Sequence, residues 1–333
     1  MSMQTNGREI STSEAINEAL REEMQRDETV VLWGEDVALA GGVFKVTKGI
    51  YTQFGPTRVY DTPISEAGIV GLAVGAAMTG LRPVVEVMFG DFLTLAMDQL
   101  VNQAAKIHYM SGGNFSVPMV VRTTLGAGRR TAAQHSQSLH AWLSHIPGLK
   151  VVLPSCPYDA KGLLKSAIRD NNPVVFFEDK ISYQRKGPVP DPDEDYTITF
   201  GQADVKREGS DLTIIATSGM VHLALTAAAK LAEEGIEVEV IDPRTLVPLD
   251  TQTLVDSVTK TSRCIVIDPG YQSFGVTAEI ASIVAEHAFY ALEAPVRRLG
   301  GIDVPIPFSP ALEDLTIPTV ASVINLVRET VTA

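Results

Sequence analysis

The chain is poor in cysteine: its 333 residues hold only Cys156 and Cys264, far apart and outside any metal-binding or redox spacing. That excludes a disulfide scaffold or a zinc ribbon and fits a reducing, cytoplasmic compartment. No apolar run reaches the length that spans a bilayer. The start, MSMQTNGREIST, lacks the basic-then-apolar order of a secretory leader, so none is expected. Positive charge is also scarce, with 27 Lys and Arg against 40 Asp and Glu and a net charge of -13. Such a surface opposes phosphate backbones and anionic lipid, so neither nucleic acid nor membrane is expected as a partner. Walker-type phosphate loops and nucleophile elbows are missing. Gly126 and Gly128 begin what could be mistaken for a dinucleotide fingerprint, but the third glycine is absent and no acid ends a strand about twenty residues later.

What is present is an ordinary globular composition, 45% apolar and 20% charged, on a chain long enough for two cores. Its centre is Asp61–Gly80, DTPISEAGIVGLAVGAAMTG, where a polar turn becomes a stretch without charge from Ala67 to Leu81. Ser65 is placed to cap the helix that follows, with Glu66 in its first turn beside Ile64, Ile69 and Val70. Ala67, Gly68, Gly71, Ala73, Gly75, Ala76 and Ala77 make that helix thin, which suits a tight subunit seam. Taken on spacing alone, Glu66 does no more than favour the helix dipole.

Ser11 and Glu14 have capping-box spacing ahead of a helix through Met24. Buried strands are expected at Val30–Trp33, Pro83–Phe89, Val117–Arg122, Leu149–Leu153 and Val174–Phe177. Helices are expected through Leu93–Ile107 and Tyr158–Arg169. The acidic, proline-rich Pro188–Asp195 reads as a linker, after which the pattern restarts: strands at Leu212–Ala216, Glu237–Ile241 and Cys264–Asp268, helices at Val221–Glu234, Asp250–Val258 and Val276–Phe289. Strands alternating with helices predict an α/β chain of two doubly wound domains, residues 1–187 and the smaller 204–333, joined by a linker at 188–203. His135, His140 and His145 are five apart, which on a helix turns successive side chains by roughly 140° and prevents convergence on one metal.

The central stretch, followed in order by FKVTKGIY (Phe44–Tyr51), YMSGG (Tyr109–Gly113), AAQHSQS (Ala132–Ser138), PGLKVV (Pro147–Val152), DAKGLLKSAIRDNNPVV (Asp159–Val175) and IDPRTLVPLD (Ile241–Asp250), carries a family likeness. It resembles the β subunit of the thiamine diphosphate-dependent first component of 2-oxo acid dehydrogenases, of the pyruvate or acetoin type. The resemblance implies a transketolase-like pyrimidine-binding domain and a transketolase-type C-terminal domain. It makes Glu66 the carboxyl hydrogen-bonded to pyrimidine N1′, driving the aminopyrimidine toward its imino form so that the 4′-nitrogen can act as base. Met88 and Phe92, core residues on any other reading, would lie against the pyrimidine ring. Glu35, otherwise a solvated turn residue, falls where relatives keep an acid near the seam between two active sites. His135, otherwise a loop anchor, would line the active site and donate to a developing oxyanion. Backbone carbonyls of Met119, Ala167, Ile168, Asp170 and Asn172 match a structural potassium site, where the alternative is a simple chain turn.

Relatives that hold the diphosphate and its magnesium do so with a GDG motif and a distant asparagine pair; the nearest approach here is Gly90-Asp91-Phe92. The chain therefore resembles half of an enzyme. An α subunit would hold the diphosphate and magnesium, with two of each chain in a heterotetramer docked on a dihydrolipoyl acyltransferase core. AAQHSQS points to pyruvate or acetoin rather than branched substrates, and RTTLGAG (Arg122–Gly128) with PSCPYDAKGLL (Pro154–Leu164) leans to acetoin. IDPGYQSFG departs from the glutamate many relatives carry after the strand Cys264–Ile267. A non-catalytic scaffold and a single-chain transketolase relative are the other classes; retention of Glu66, Phe92 and His135 opposes the first, and the missing diphosphate motif the second.

Overall fold

The computed structural model describes residues 8–192 and 194–332. The first seven residues and Asp193 of the expected linker lie outside them. The chain divides into two compact units: residues up to Leu125 with Trp142–Phe200, and Gly126–Ala141 with the residues from Gly201 on. The second unit thus owns a segment from the middle of the expected N-terminal domain.

The first unit contains β1 (Arg8–Ser11), α1 (Thr12–Arg26), β2 (Val30–Gly34), α2 (Ile50–Phe54), β3 (Val59–Asp61), α3 (Glu66–Met78), β4 (Arg82–Val87), α4 (Ile107–Met110) and β5 (Val120–Leu125). After α5 (His140–Ser144) come β6 (Lys150–Val152), α6 (Pro157–Arg169), β7 (Val174–Asp179) and β8 (Lys186–Val189). Its sheet runs β6-β7-β5-β4-β2-β3 with every neighbouring pair parallel. Parallel neighbours require crossover connections, which is why the strands alternate with helices and read as unbroken apolar runs. Ile16 and Leu20 of α1 and Leu163 of α6 pack with Leu32, Val84 and Phe176 of the sheet. The capping box on α1 forms as its spacing predicts, Glu14 N donating to Ser11 Oγ at 3.3 Å and Ser11 N donating to the Glu14 carboxylate at 2.7 Å. The stretch read as linker begins inside a strand, since Pro188 and Val189 of β8 pair antiparallel with Glu9 and Arg8 of β1.

Two local expectations are corrected. Ser65 makes no side-chain cap on α3; its backbone, at φ -162° and ψ 84°, turns the hydroxyl over Gly68, where an added Cβ would lie 3.0 Å from Oγ. The expected single helix through Leu93–Ile107 is instead a 3-10 turn at Gly90–Ala96, a π-helix at Gln99–Ala104 and then α4. Leu93, Ala96, Leu100 and Ala104 are all buried, so the apolar period is real, and the widened turn marks a departure of the kind common at functional sites.

The second unit contains β9 (Asp204–Arg207), β10 (Leu212–Ala216), α7 (Met220–Ala232), β11 (Val238–Asp242), β12 (Thr245–Val247), α8 (Thr251–Thr261), β13 (Cys264–Tyr271), α9 (Val276–His287), β14 (Arg297–Gly301), α10 (Pro310–Glu313) and α11 (Val320–Val331). Its sheet runs β14-β13-β10-β11-β9, parallel except for the edge strand β9. Side chains alternate across it: Ile214, Val240 and Ile267 meet α7 and α11, while Ile215, Ile241 and Val266 meet α8 and α9. Both units are therefore α/β layers with helices on two faces.

Candidate functional site

In an open parallel sheet, ligands bind outside the carboxyl ends of the strands. Strand β2 lies between β3 and β4, with Gly34 paired to Asp61 on one side and Glu86 on the other. Beyond these three ends the chain places Glu35 after β2, the turn from Asp61 to Glu66 after β3, and Met88 to Phe92 after β4. Gly34 is obligatory at this crossing because an added Cβ would lie 2.7 Å from the Glu86 carbonyl. The structure thus gathers Glu35, Glu66, Met88 and Phe92, all singled out in the sequence, at one sheet edge.

Trp33 ties α3 to this edge: its indole Nε1 donates to the Ile69 carbonyl at 3.1 Å, and its ring stacks on Tyr60 at 5.4 Å. Ile69, Val70, Ala73 and Val74 are buried, and Glu66 sits on the same face of the helix, only 6% exposed. Its carboxylate makes no hydrogen bond or ion pair among the described residues. Its oxygens are not sealed from solvent, so the carboxylate is left open to a ligand that reaches this edge. The opposite face of α3 is open. Gly68 and Gly75 are exposed, Leu72 is 52% exposed, and a Cβ on Gly75 would meet nothing within 4 Å.

Glu35 is half-buried, and burial, joined by the negative charges of Glu66, Asp36 and Glu86, pushes its carboxyl above the usual range. Met88 and Phe92 are half-buried as well. The Met88 carbonyl accepts from Thr124 Oγ1 at 3.1 Å, and Gly90 allows the close passage of β5, since its Cβ would lie 2.6 Å from the Thr124 carbonyl. Phe92 meets Phe89 edge to face at 5.7 Å, Phe89 meets Phe44 at 5.9 Å, and Phe44 meets Tyr183 at 5.0 Å. This aromatic chain fixes the plane of Phe92.

Beneath it lies a group that sequence reading missed. Arg122, on β5, is buried with Glu86, Glu178 and Tyr183. Its Nη1 donates to Glu86 at 2.8 Å, its Nε and Nη2 donate to Glu178 at 2.7 and 2.8 Å, and Tyr183 donates to Glu178 at 2.6 Å. Burial pushes the Glu86 carboxyl up, and Arg122 only partly offsets this because its charge is shared with Glu178. The signal was available: one arginine inside VVRTTL and one glutamate inside PVVEV are charges in strands otherwise apolar enough to be buried.

His135 belongs to the second unit, in Gly126–Ala141. It is half-buried, its carbonyl accepts from Thr131 Oγ1 at 3.0 Å, and it precedes the short helix that starts at His140. His140 is buried and contacts Asp268 at 2.9 and 3.1 Å, so the two histidines have different settings.

Residues 8–186 match the transketolase pyrimidine-binding domain and residues 201–323 the transketolase C-terminal domain. The chain is 52% identical over 334 residues to the β subunit of acetoin:2,6-dichlorophenolindophenol oxidoreductase from Bacillus subtilis (strain 168), with 97% of each chain covered. It is 50% identical over 321 residues to the β subunit of the pyruvate dehydrogenase E1 component from Rickettsia felis, covering 96% of this chain and 98% of that one. The chain belongs to this transketolase-like family of dehydrogenase β subunits. Among solved structures it resembles a split-gene transketolase described as an inactive β4 tetramer, with a TM-score of 0.78, 25% identity and coverage of 97% and 98% of the two chains. The two doubly wound domains expected from the sequence are those of the family.

The donor set of this family member fits the pyrimidine of thiamine diphosphate: a largely buried acid whose carboxylate makes no hydrogen bond among the described residues, with an aromatic face and a thioether at the same edge. Potassium fits incompletely. The Ile168 and Asp170 carbonyls accept from Arg82 Nη1 at 3.0 and 2.9 Å, so a guanidinium already supplies positive charge at two of the five expected oxygens. Of the others, the Met119 carbonyl accepts from Val174 N at 2.9 Å and that of Ala167 from Asp170 N at 3.3 Å. No step is assigned to potassium. Among the described residues, no group of three or more His, Cys, Asp or Glu could hold a metal, and no helix is long and apolar enough to cross a membrane.

Proposed function

We propose that this chain is the β half of a thiamine diphosphate-dependent oxidoreductase that decarboxylates pyruvate and passes the acyl group to a lipoyl carrier, active only with an α subunit. The observation that carries the reading is Glu66, an acid only 6% exposed that makes no hydrogen bond or ion pair among the described residues, at the edge where β2, β3 and β4 end. Thiamine diphosphate, when bound, supplies the carbanion for attack on a carbonyl and stores the electrons left by carbon–carbon cleavage. Glu66 would hold a proton between its carboxyl and pyrimidine N1′ when the cofactor is bound. Phe92 and Met88 give the ring a flat apolar wall, and Glu35 adds negative charge beside Glu66. His135 donates to the oxygen of the substrate carbonyl as charge develops there.

A half-enzyme is the reading because the chain carries no GDG motif for a diphosphate and its magnesium, and because Gly68, Leu72 and Gly75 leave one face of α3 exposed among the described residues. The α subunit covers that face and supplies the diphosphate and magnesium site, two copies of each chain assemble, and the product tetramer docks on a dihydrolipoyl acyltransferase core. The split-gene transketolase described as an inactive β4 tetramer supports the same division of labour. Neither Cys156 nor Cys264 forms a disulfide among the described residues, which supports a cytoplasmic location.

Calorimetry of the purified chain with thiamine diphosphate and magnesium, followed by an artificial-acceptor assay with and without the cognate α chain, tests the reading. Weak binding and no turnover alone, with both restored by α, is expected; tight binding with turnover by the β chain alone overturns it. Acetoin is the second reading, favoured by RTTLGAG and PSCPYDAKGLL and by the acetoin-oxidoreductase relative. The ratio of kcat/KM for pyruvate and acetoin in the assembled enzyme decides between them.

A further inference from the structure

The segment that carries His135 is held at both ends by acids of the C-terminal half of the chain. At its start, Glu313 is completely buried at the end of α10, and its carboxylate accepts from Gly128 N at 2.5 Å, Arg130 N at 3.2 Å and Arg130 Nη1 at 2.7 Å. The Arg130 guanidinium also donates to Asp314 at 2.7 Å and to the Pro310 carbonyl at 3.3 Å. Two backbone N–H groups converging on one carboxylate form an anion nest, here filled by the protein's own side chain. At its far end, Asp268 accepts from His140 Nε2, from Thr217 Oγ1 at 2.5 Å and from Gly270 N at 2.7 Å.

Between these anchors the backbone is under strain. Arg130 and Ala132 have φ of 60° and 61°, in the left-handed region that side chains disfavour. Such residues persist only where surrounding contacts over-determine them. The contacts are present: beyond the Glu313 nest, Thr131 Oγ1 reaches the His135 carbonyl and Ser136 Oγ, each at 3.0 Å, and His135 N reaches the Ala132 carbonyl at 3.4 Å. Strain and tether together constrain the backbone ahead of the imidazole.

We propose that Glu313 and Asp268 are positioning residues that hold His135 in place: Glu313 fixes the strained turn ahead of it and Asp268 the helix start behind it. The inference rests on the reading of His135 as the substrate-facing imidazole. A preformed donor stabilises developing charge because it needs no reorganisation at the moment of reaction.

The turn contains the dibasic pair Arg129-Arg130, so trypsin reports directly on its order in the full-length chain, with no cofactor needed. Glu313→Gln puts an amide N–H against the nest. Arg130→Gln, on a half-exposed residue, removes only the side-chain leg and keeps the test open should the first variant fail to fold. Both are expected to speed cleavage after Arg129 at least threefold. In the assembled enzyme, hydrogen–deuterium exchange at C2 of the bound cofactor should stay within twofold of wild type. The step after cofactor activation should slow about tenfold in Glu313→Gln, and Glu313→Gln should cause no further loss when combined with His135→Ala. A purely structural role would slow both steps and would multiply with His135→Ala. Unchanged cleavage in both variants, or losses that multiply, overturn the proposal and leave the role of His135 intact. If instead His135→Ala alone leaves the later step at wild-type rate, the reading of His135 falls, and the clamp's catalytic role falls with it.

Discussion

Arg122 donates to both oxygens of Glu178, through Nε at 2.7 Å and Nη2 at 2.8 Å, and directs Nη1 to Glu86 at 2.8 Å. One buried guanidinium therefore serves two buried carboxylates lying behind the site edge. Arg122→Met leaves both acids without a counter-charge, and breaking a buried pair in this way typically costs about 3–5 kcal/mol. Urea unfolding at pH 7 and again at pH 5 should show a large loss that acid partly restores, because protonation removes the uncompensated charge. Wild-type stability at pH 7 would mean that the carboxylates do not depend on the arginine.

Glu66→Gln is nearly isosteric, and the wild-type carboxylate makes no hydrogen bond among the described residues that packing could lose. The variant should fold and assemble with the α chain normally. Turnover should drop about 10²–10⁴-fold, the usual contribution of a positioned acid or base, with exchange at C2 of the cofactor slowing in parallel. Near-normal exchange removes Glu66 from its role.

Gly75 separates folding from assembly. A Cβ there meets nothing within 4 Å and its φ is not in the left-handed region, so Gly75→Leu should leave the isolated chain at least as stable, gaining roughly 0.5–1 kcal/mol of helix propensity. If the thin face of α3 is the subunit seam, the same side chain blocks close approach. Thermal melting and size-exclusion chromatography with the α chain should then show a normal fold and lost assembly; normal assembly would move the seam elsewhere.

Asp268 gives a pH signature. Burial alone would push its carboxyl up, but His140, Thr217 Oγ1 and the Gly270 N–H outweigh burial and hold it below the usual carboxylate range. A depressed value in the folded state means stabilisation that is full above the unfolded value of about 3.9 and is lost as pH falls through the folded one. Asp268→Asn should be less stable than wild type by roughly 1–3 kcal/mol near neutrality, with the gap closing below about pH 4. Denaturant midpoints of both proteins between pH 2.5 and 7 test this; a gap that widens on acidification contradicts it.

Much of this protein was decided by residues close together in sequence. The alternation of apolar strands with amphipathic helices predicts two doubly wound layers, because a parallel strand buried on both faces must read as an unbroken apolar run. The cap on α1 depends on two residues three apart and formed as spacing requires. Glu66 stood out as the one acid before a long uncharged stretch. Ser65 failed as a cap even at short range, since capping depends on a backbone angle that residue type does not dictate.

The rest depended on three-dimensional closure. Arg122 finds its acids 36 and 56 positions away, and Gly128 finds Glu313 at a separation of 185, distances at which periodicity carries no information. The sequence shows that a buried charge needs a partner, but only the packed sheet decides which acid it meets. The same holds for Gly126–Ala141, which the chain order places among first-unit strands and the fold gives to the second unit, because its hydrogen bonds run to Asp268 and Glu313.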